Sequence, residues 1–257
     1  MKISVVTVSY NSEATIGATI ESFLGQTHPD KEMLVIDGAS KDATLKIVES
    51  FGASQIRVIS EPDKGVYDAM NKGLHLFKGD AIGFLNSDDT FHDDSALAAI
   101  AAALETADVA YGDLDMVTDH RSKALVRSWR GGQFGRYAFQ LGWVPPHPTF
   151  YIRRDVAEKV GDYDLSYVTT ADYDYMLRTL ALHDYRVAYL PRVIADFQMG
   201  GISTSGWRVT LRGNLECLRS RRQHLNAPVI DAAFFLRFAR RLLQLRWASP
   251  LRTQRSR

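Results

Sequence analysis

At 257 residues, with 46% apolar and 24% charged residues, the chain is long enough for one large α/β domain or a domain with an appendage. Its one cysteine, Cys217, excludes an intramolecular disulfide and a cysteine-based zinc site, and suggests a reducing compartment. A formal net charge of +1 hides a division, with 12 arginines against two acids in residues 207–257 and 19 bases against 28 acids before them, which suggests an acidic catalytic body with a basic, surface-seeking tail.

The first elements alternate. Residues 3–9 (ISVVTVS) are β-branched and apolar and predict a central strand. Tyr10-Asn11-Ser12 breaks it, and Ser12 is placed to cap a helix over 13–24, with Ile16, Ile20, Phe23 and Leu24 on one face. A second strand over 32–36 ends at Asp37-Gly38 and is followed by a helix over 43–51. A third strand spans 56–60, and Lys72 and Gly73 are expected to close a helix begun near Val66. A fourth strand, 81–85, stops abruptly at Asn86-Ser87-Asp88-Asp89, and a helix is suggested over 94–104. Such alternation implies a largely parallel sheet with helices on both faces.

The strand ends share a chemistry. Tyr10-Asn11, Asp37, Glu61-Pro62-Asp63 and Asn86-Ser87-Asp88-Asp89 each follow an apolar run directly. In a parallel sheet these ends line one edge, where ligands of open α/β folds bind. Adjacent carboxylates there are unfavourable unless offset, and a hard divalent cation with diphosphate oxygens would do so. The plain alternative for Asp37, Asp88 and Asp89 is a turn or helix-cap role. Neither a Gly-x-Gly-x-x-Gly turn nor a Walker phosphate loop occurs, so phosphate charge would fall to a metal.

Four motifs in this order, VVTVSYN, VIDGASKDAT, SEPDKGVYDAMNKG and GDAIGFLNSDD, resemble the family-2 glycosyltransferases, in particular the bacterial exopolysaccharide, colanic-acid and O-antigen type. The resemblance covers roughly residues 1–200. It implies a GT-A fold: a Rossmann-like, mostly parallel sheet with helices on both faces, here with a basic helical C-terminal tail. It divides the chain into a glycosyltransferase domain, 1–206, and a tail, 207–257. Within the domain, 1–115 would bind the nucleotide-sugar, and 116–206 the acceptor and catalytic base. Asp37 matches the carboxylate that recognises the base. Asp88 and Asp89 match the Asp-x-Asp-like element, with Asp88 near the ribose and Asp89 on Mg²⁺ or Mn²⁺. Thr7, Ser9, Tyr10, Asp63 and Asn71 would line the donor pocket. Two departures stand out. Gly38 replaces a second acid common in relatives, and Asn86 replaces a common Asp.

The second half begins with an expected strand over 107–113. Trp129, Phe134, Tyr137 and Phe139 either pave an acceptor groove or pack in the core, and the core is the commoner fate. Three prolines around His147 fix its position. The resemblance puts this histidine near the diphosphate or acceptor; a hydrogen-bonded structural histidine is the alternative. Asp172 opens an apparent helix and could be a simple cap. The family reading makes it the catalytic base, from a Glu-Asp pair that is Ala171-Asp172 here, with Asp174 as substitute. Asp172 would take the acceptor proton as the hydroxyl displaces the nucleoside diphosphate with inversion.

The tail over 229–247 has helical periodicity, with Arg237, Arg240, Arg241 and Gln244 opposite Phe234, Phe235, Phe238, Leu242 and Leu245. A helix lying on an anionic membrane and a helix packed on the body are both open readings. No window of ~18 uncharged apolar residues occurs, and no secretory signal is expected. The expected setting is cytoplasmic, peripheral on the inner face of the inner membrane. The expected partners are a nucleoside-diphosphate sugar and a glycan or polyprenyl-diphosphate-linked acceptor, without nucleic acid. The alternatives are a sugar-phosphate nucleotidyltransferase, whose Gly-rich loop is missing, and a non-catalytic nucleotide-sugar-binding scaffold.

Overall fold

The computed structural model describes residues 1–119, 123–198, 207–228, 231–233 and 236. The first half alternates as the sequence implies. Strands β1 (Ile3–Ser9), β2 (Lys31–Asp37), β3 (Ile56–Ser60) and β4 (Ala81–Phe84) are separated by helices α1 (Ile16–Leu24), α2 (Thr44–Ser50) and α3 (Val66–Leu76). These strands pair in parallel, in the order β3-β2-β1-β4, with Ser9 beside Asp37 and Asp37 beside Ser60. That register puts the polar ends of β1, β2 and β3 level on one edge.

Beyond β4 the sheet becomes mixed. It continues through β8 (Tyr151–Arg153), β6 (Val109–Val117), β9 (Val187–Gln198) and β5 (Asp89–Phe91), and β7 (Leu125–Trp129) pairs with β6. β6 and β9 are parallel; the β4–β8, β8–β6 and β9–β5 pairs are antiparallel. Helices α4 (Ala96–Leu104), α5 (Arg154–Val160), α6 (Ala171–Ala181) and α7 (Trp207–Leu225) complete the fold. Two apolar clusters form the core. One contains Val6, Phe84, Tyr163 and Leu177, and the other contains Ile20, Met33 and Leu97.

Three local expectations are corrected. Helix α1 begins at Ile16, and Ser12 does not cap it with its side chain; the Ser12 hydroxyl instead meets Ser87 Oγ at 2.8 Å. Helix α3 does not end at Gly73 but runs to Leu76. A Cβ at Gly73 would fall 2.5 Å from Val6 Cγ1, so the glycine lets α3 lie against β1. Asp89 is not in a free turn, since it starts β5, a strand held by β9. The aromatic run also resolves. Phe134 and Phe139 pack with Trp143 in the core cluster, whereas Tyr137 is exposed. Of the tail over 229–247, only residues 231–233 and 236 are described, so its expected amphipathic helix lies outside the described residues.

Candidate active site

Asp37, at the end of β2, is fully buried. Its two oxygens accept hydrogen bonds from Ser9 Oγ (3.2 Å), Ser60 Oγ (2.7 Å), Ser40 N–H (2.9 Å) and Ser40 Oγ (2.5 Å). A buried carboxyl with four donors is well compensated, and it ties the ends of three adjacent strands together. A nucleotide base at Asp37 would have to share these oxygens.

Asp63 is placed differently. Its Oδ1 accepts the Gly65 N–H at 2.9 Å, which shapes the turn into α3. Its Oδ2 lies only 2.5 Å from where a Cβ on Gly38 would be, and Tyr10 Cδ2 lies 3.4 Å from the same point. Tyr10 is 61% exposed. The missing side chain at Gly38 therefore makes room for a carboxylate from the next loop, beside an exposed aromatic ring. In β1, Thr7 is buried, and its hydroxyl has no hydrogen-bond partner among the described residues.

Asn86, Asp88 and Asp89 follow β4. Asp89 is fully buried; Asn86 Nδ2 donates to its Oδ2 at 3.1 Å, and its Oδ1 has no hydrogen-bond partner among the described residues. Burial first, and then the charge of Asp88, push the Asp89 carboxyl well above the usual range. Both effects are what a bound cation would relieve. The donors are hard carboxylate oxygens, which suit Mg²⁺ or Mn²⁺. Among the described residues no cluster of three or more His, Cys, Asp or Glu side chains could hold a metal. Asp88 and Asp89 would therefore hold one only together with ligand oxygens or water.

A wall of aromatics joins this end of β4 to α6. Phe84 stacks on His147 at 5.6 Å between centroids, and Tyr163 packs edge-on against Phe84. His147 Nε2 lies 3.1 Å from Tyr163 Oη. Tyr163 in turn stacks on Tyr67. Tyr67 donates its hydroxyl to Asp172 Oδ1 at 3.2 Å. Burial lowers the His147 imidazole, and the Asp172 charge partly restores it. Burial, followed by the neighbouring Asp172 carboxylate, raises the Tyr67 phenol, which stays a hydrogen-bond donor.

Two further predicted residues are engaged by protein partners. Asn71 donates to Tyr163 O at 3.0 Å and accepts from Tyr163 N–H at 2.8 Å, so its amide fixes the segment that carries Tyr163. Asp174 is buried against α7, bonded to Arg178 Nε (2.8 Å), Ser220 Oγ (2.8 Å) and His224 Nε2 (3.1 Å). Sequence reasoning did not single out Tyr67 or Tyr163. Neither lies in a spacing pattern that differs from ordinary core aromatics.

A model described as Glycosyl transferase family 2 matches residues 4–161. The chain belongs to this family. Its match ends just before Tyr163, so α6 and α7 lie beyond it. Among curated proteins, this family-2 member is 32% identical over 211 residues to a PGL/p-HBAD biosynthesis glycosyltransferase of Mycobacterium bovis, covering 79% of each chain. Among solved structures, S. aureus TarS in complex with UDP-GlcNAc superposes with a TM-score of 0.67 at 19% identity, covering 91% of this chain and 69% of that one. A mannosyltransferase from Pyrobaculum calidifontis in complex with GDP-Man and Mn²⁺ gives 0.65 at 18%, covering 97% and 72%. The fold is accordingly GT-A-like, and the enzyme is a glycosyltransferase.

Proposed function

We propose that this glycosyltransferase is inverting and uses a divalent metal. It would move a sugar from a nucleoside-diphosphate sugar to a hydroxyl of a glycan or lipid-linked acceptor in bacterial surface polysaccharide assembly. The observation that carries this reading is the placement of Asp172. The tyrosine that holds it belongs to an aromatic wall that reaches β4, whose end carries Asp88 and Asp89. Solved neighbours bound to UDP-GlcNAc, or to GDP-Man with Mn²⁺, support a nucleotide-sugar donor and a metal.

The roles divide as follows. Tyr10 offers its exposed ring to the base, and Asp63 offers a carboxylate oxygen to a ring N–H. Asp37 keeps the strand ends in register beneath them. Asp88 would lie toward the ribose, and Asp89, whose Oδ1 has no partner among the described residues, would hold Mg²⁺ or Mn²⁺. When bound, that ion supplies positive charge at the diphosphate. Asp172, oriented by Tyr67, takes the proton from the acceptor hydroxyl as its oxygen bonds to the anomeric carbon. The bond from that carbon to the diphosphate breaks with its electron pair leaving on the nucleotide, and one such displacement inverts the anomeric centre. His147 sits beside the reacting groups as a neutral imidazole, within reach of diphosphate or acceptor.

Asp172→Asn tests the assignment. Nucleotide-sugar binding should persist in a thermal-shift panel with and without Mn²⁺, while turnover falls by roughly 10²–10⁴-fold. Wild-type turnover in that variant would eliminate the reading.

Membrane association belongs to the same proposal. Among the described residues no helix is long and apolar enough to cross a membrane, and the C-terminal 51 residues carry 12 arginines. Peripheral binding to anionic lipid, on the cytoplasmic face of the inner membrane, fits this composition. Combined Arg237→Gln, Arg240→Gln and Arg241→Gln substitutions should abolish co-sedimentation with anionic vesicles. Undiminished pelleting would end this part of the proposal.

A further inference from the structure

The segment leading into α6 is bonded to α6 through the Thr170 carbonyl, which accepts the Asp174 N–H at 3.2 Å, but its side chains are held from elsewhere. Thr170 stands at the helix start, yet its side chain makes no capping bond. Its hydroxyl donates instead to Glu216 Oε2 at 3.1 Å, across to α7. The same carboxylate accepts the Val168 N–H (3.2 Å), the Thr169 N–H (2.9 Å) and the Thr169 hydroxyl (2.9 Å). One side chain thus gathers four donors from three consecutive residues, and Asp172 follows two positions later. Burial alone would raise the Glu216 carboxyl; the threonine and backbone donors outweigh it and hold the group below its usual range.

The rest of the inner face of α7 reinforces the grip. A Cβ on Gly213 would touch Thr170 Cγ2 at 3.4 Å, so the helix backbone runs close to the segment. Arg219 bonds Ser166 Oγ at 2.9 Å, and Ser220 bonds Asp174. Tyr67, on α3, also restrains Asp172. Misplacement of a reacting group by about 1 Å costs on the order of 10²-fold in rate, so such restraint bears directly on turnover.

We propose that Glu216 is a positioning residue for this glycosyltransferase: its carboxylate fixes residues 168–170 and so sets where Asp172 meets the acceptor hydroxyl. This rests on the reading of Asp172 as the base. It makes α7, which lies beyond the span shared with the family model, part of the catalytic apparatus rather than the start of a separable tail.

Glu216→Gln in the full chain keeps the shape and removes the charge, leaving an amide NH₂ against donors. Two readouts are taken. In the unliganded chain, amide exchange of residues 168–172 should accelerate about tenfold or more, with the sheet unchanged. With Mn²⁺ and UDP-N-acetylglucosamine, UDP-glucose or GDP-mannose, kcat for donor hydrolysis should fall about tenfold or more, while the donor KM stays within about twofold. Glu216→Asp should recover part of both. Unchanged exchange with unchanged kcat overturns the proposal. So does a general rise in exchange across the sheet together with a collapsed melting temperature, because that marks a merely structural role. Asp172→Asn is assayed in parallel. Wild-type hydrolysis there overturns the base reading itself, whereas an inactive Asp172→Asn beside a fully active Glu216→Gln overturns only the positioning role.

Discussion

Tyr67 and Asp172 are 105 residues apart in the chain, and the hydroxyl of one donates to the carboxylate of the other at 3.2 Å. The contact joins α3, which follows the donor-side loop, to α6, which presents the base. Asp172 lies in the first turn of α6.

Removing that donor should leave the base in place but less well aimed. For Tyr67→Phe we expect kcat to fall about tenfold, the equivalent of one hydrogen bond to a charged group worth ~1.5 kcal/mol, with the donor KM unchanged. Steady-state kinetics of donor hydrolysis check this. A fall in donor affinity without a change in kcat would move Tyr67 from the base to the nucleotide.

Gly38 offers a test of the donor side. A methyl added there would meet Asp63 Oδ2 at 2.5 Å, and the flexible carboxylate, not the backbone, would give way. Gly38→Ala should therefore change the melting temperature little and yet weaken nucleotide binding by about tenfold, the loss of one charge-assisted hydrogen bond. Titration calorimetry with UDP and GDP in Mn²⁺ measures it. Unaltered affinity would remove Asp63 and Tyr10 from the base pocket.

The parallel first half was legible because each of its strands is a short apolar run that ends in polar residues, and the helices between have regular faces. The end of β4 was legible for the same reason: two acids directly after a buried run are unfavourable without a partner. What could not be read was pairing over long distances. β5 is only three residues long and exists because β9 covers it, and no local pattern marks either partner. Nor could the sequence tell an acid that meets ligand from one that holds the scaffold. Asp37 and Asp174 look alike in the string; of the partners that hold them, Ser60, Ser220 and His224 come from other elements 23 to 50 residues away. The converse holds for Glu216, a lone acid in a basic segment, whose partners lie 46–48 residues earlier.

His92 gives a pH signature outside the site. Its imidazole lies 2.7 Å from Asp196, which also pairs with Lys123 at 3.0 Å. The hydrogen bond to Asp196 raises His92 above its usual value, against burial and the Lys123 charge; Asp115 adds to the rise. For Asp196, burial is outweighed by His92 and Lys123, so its carboxyl is held low. The histidine contribution is complete below its unfolded value of ~6.5 and is lost as pH rises through the raised folded value. The aspartate contribution is complete above ~3.9 and is lost as pH falls through its lowered value. His92→Gln should thus reduce stability by about 1 kcal/mol or less near pH 5.5, since the ring is partly exposed, and by almost nothing near pH 9. Urea melts at the two pH values check the difference.

Asp89 should behave in the opposite sense to an ordinary paired carboxylate. Its folded-state value is raised, first by burial and then by Asp88, so the unliganded chain gains stability while Asp89 is protonated and loses it as pH rises through that value. A cation at the unpartnered Oδ1 competes with this proton. The stabilisation given by Mn²⁺ with UDP should therefore grow across the pH range in which the raised Asp89 group loses its proton, and binding should release a proton there. Asp89→Asn removes the buried charge at nearly constant volume. That variant should be as stable as the wild type or more so without metal, should show no Mn²⁺-dependent shift, and should lose the pH dependence. Thermal melts of both proteins across this range, with EDTA, Mn²⁺ alone, UDP alone and the two together, make the comparison. A Mn²⁺-dependent shift that survives in Asp89→Asn would take the cation away from this carboxylate.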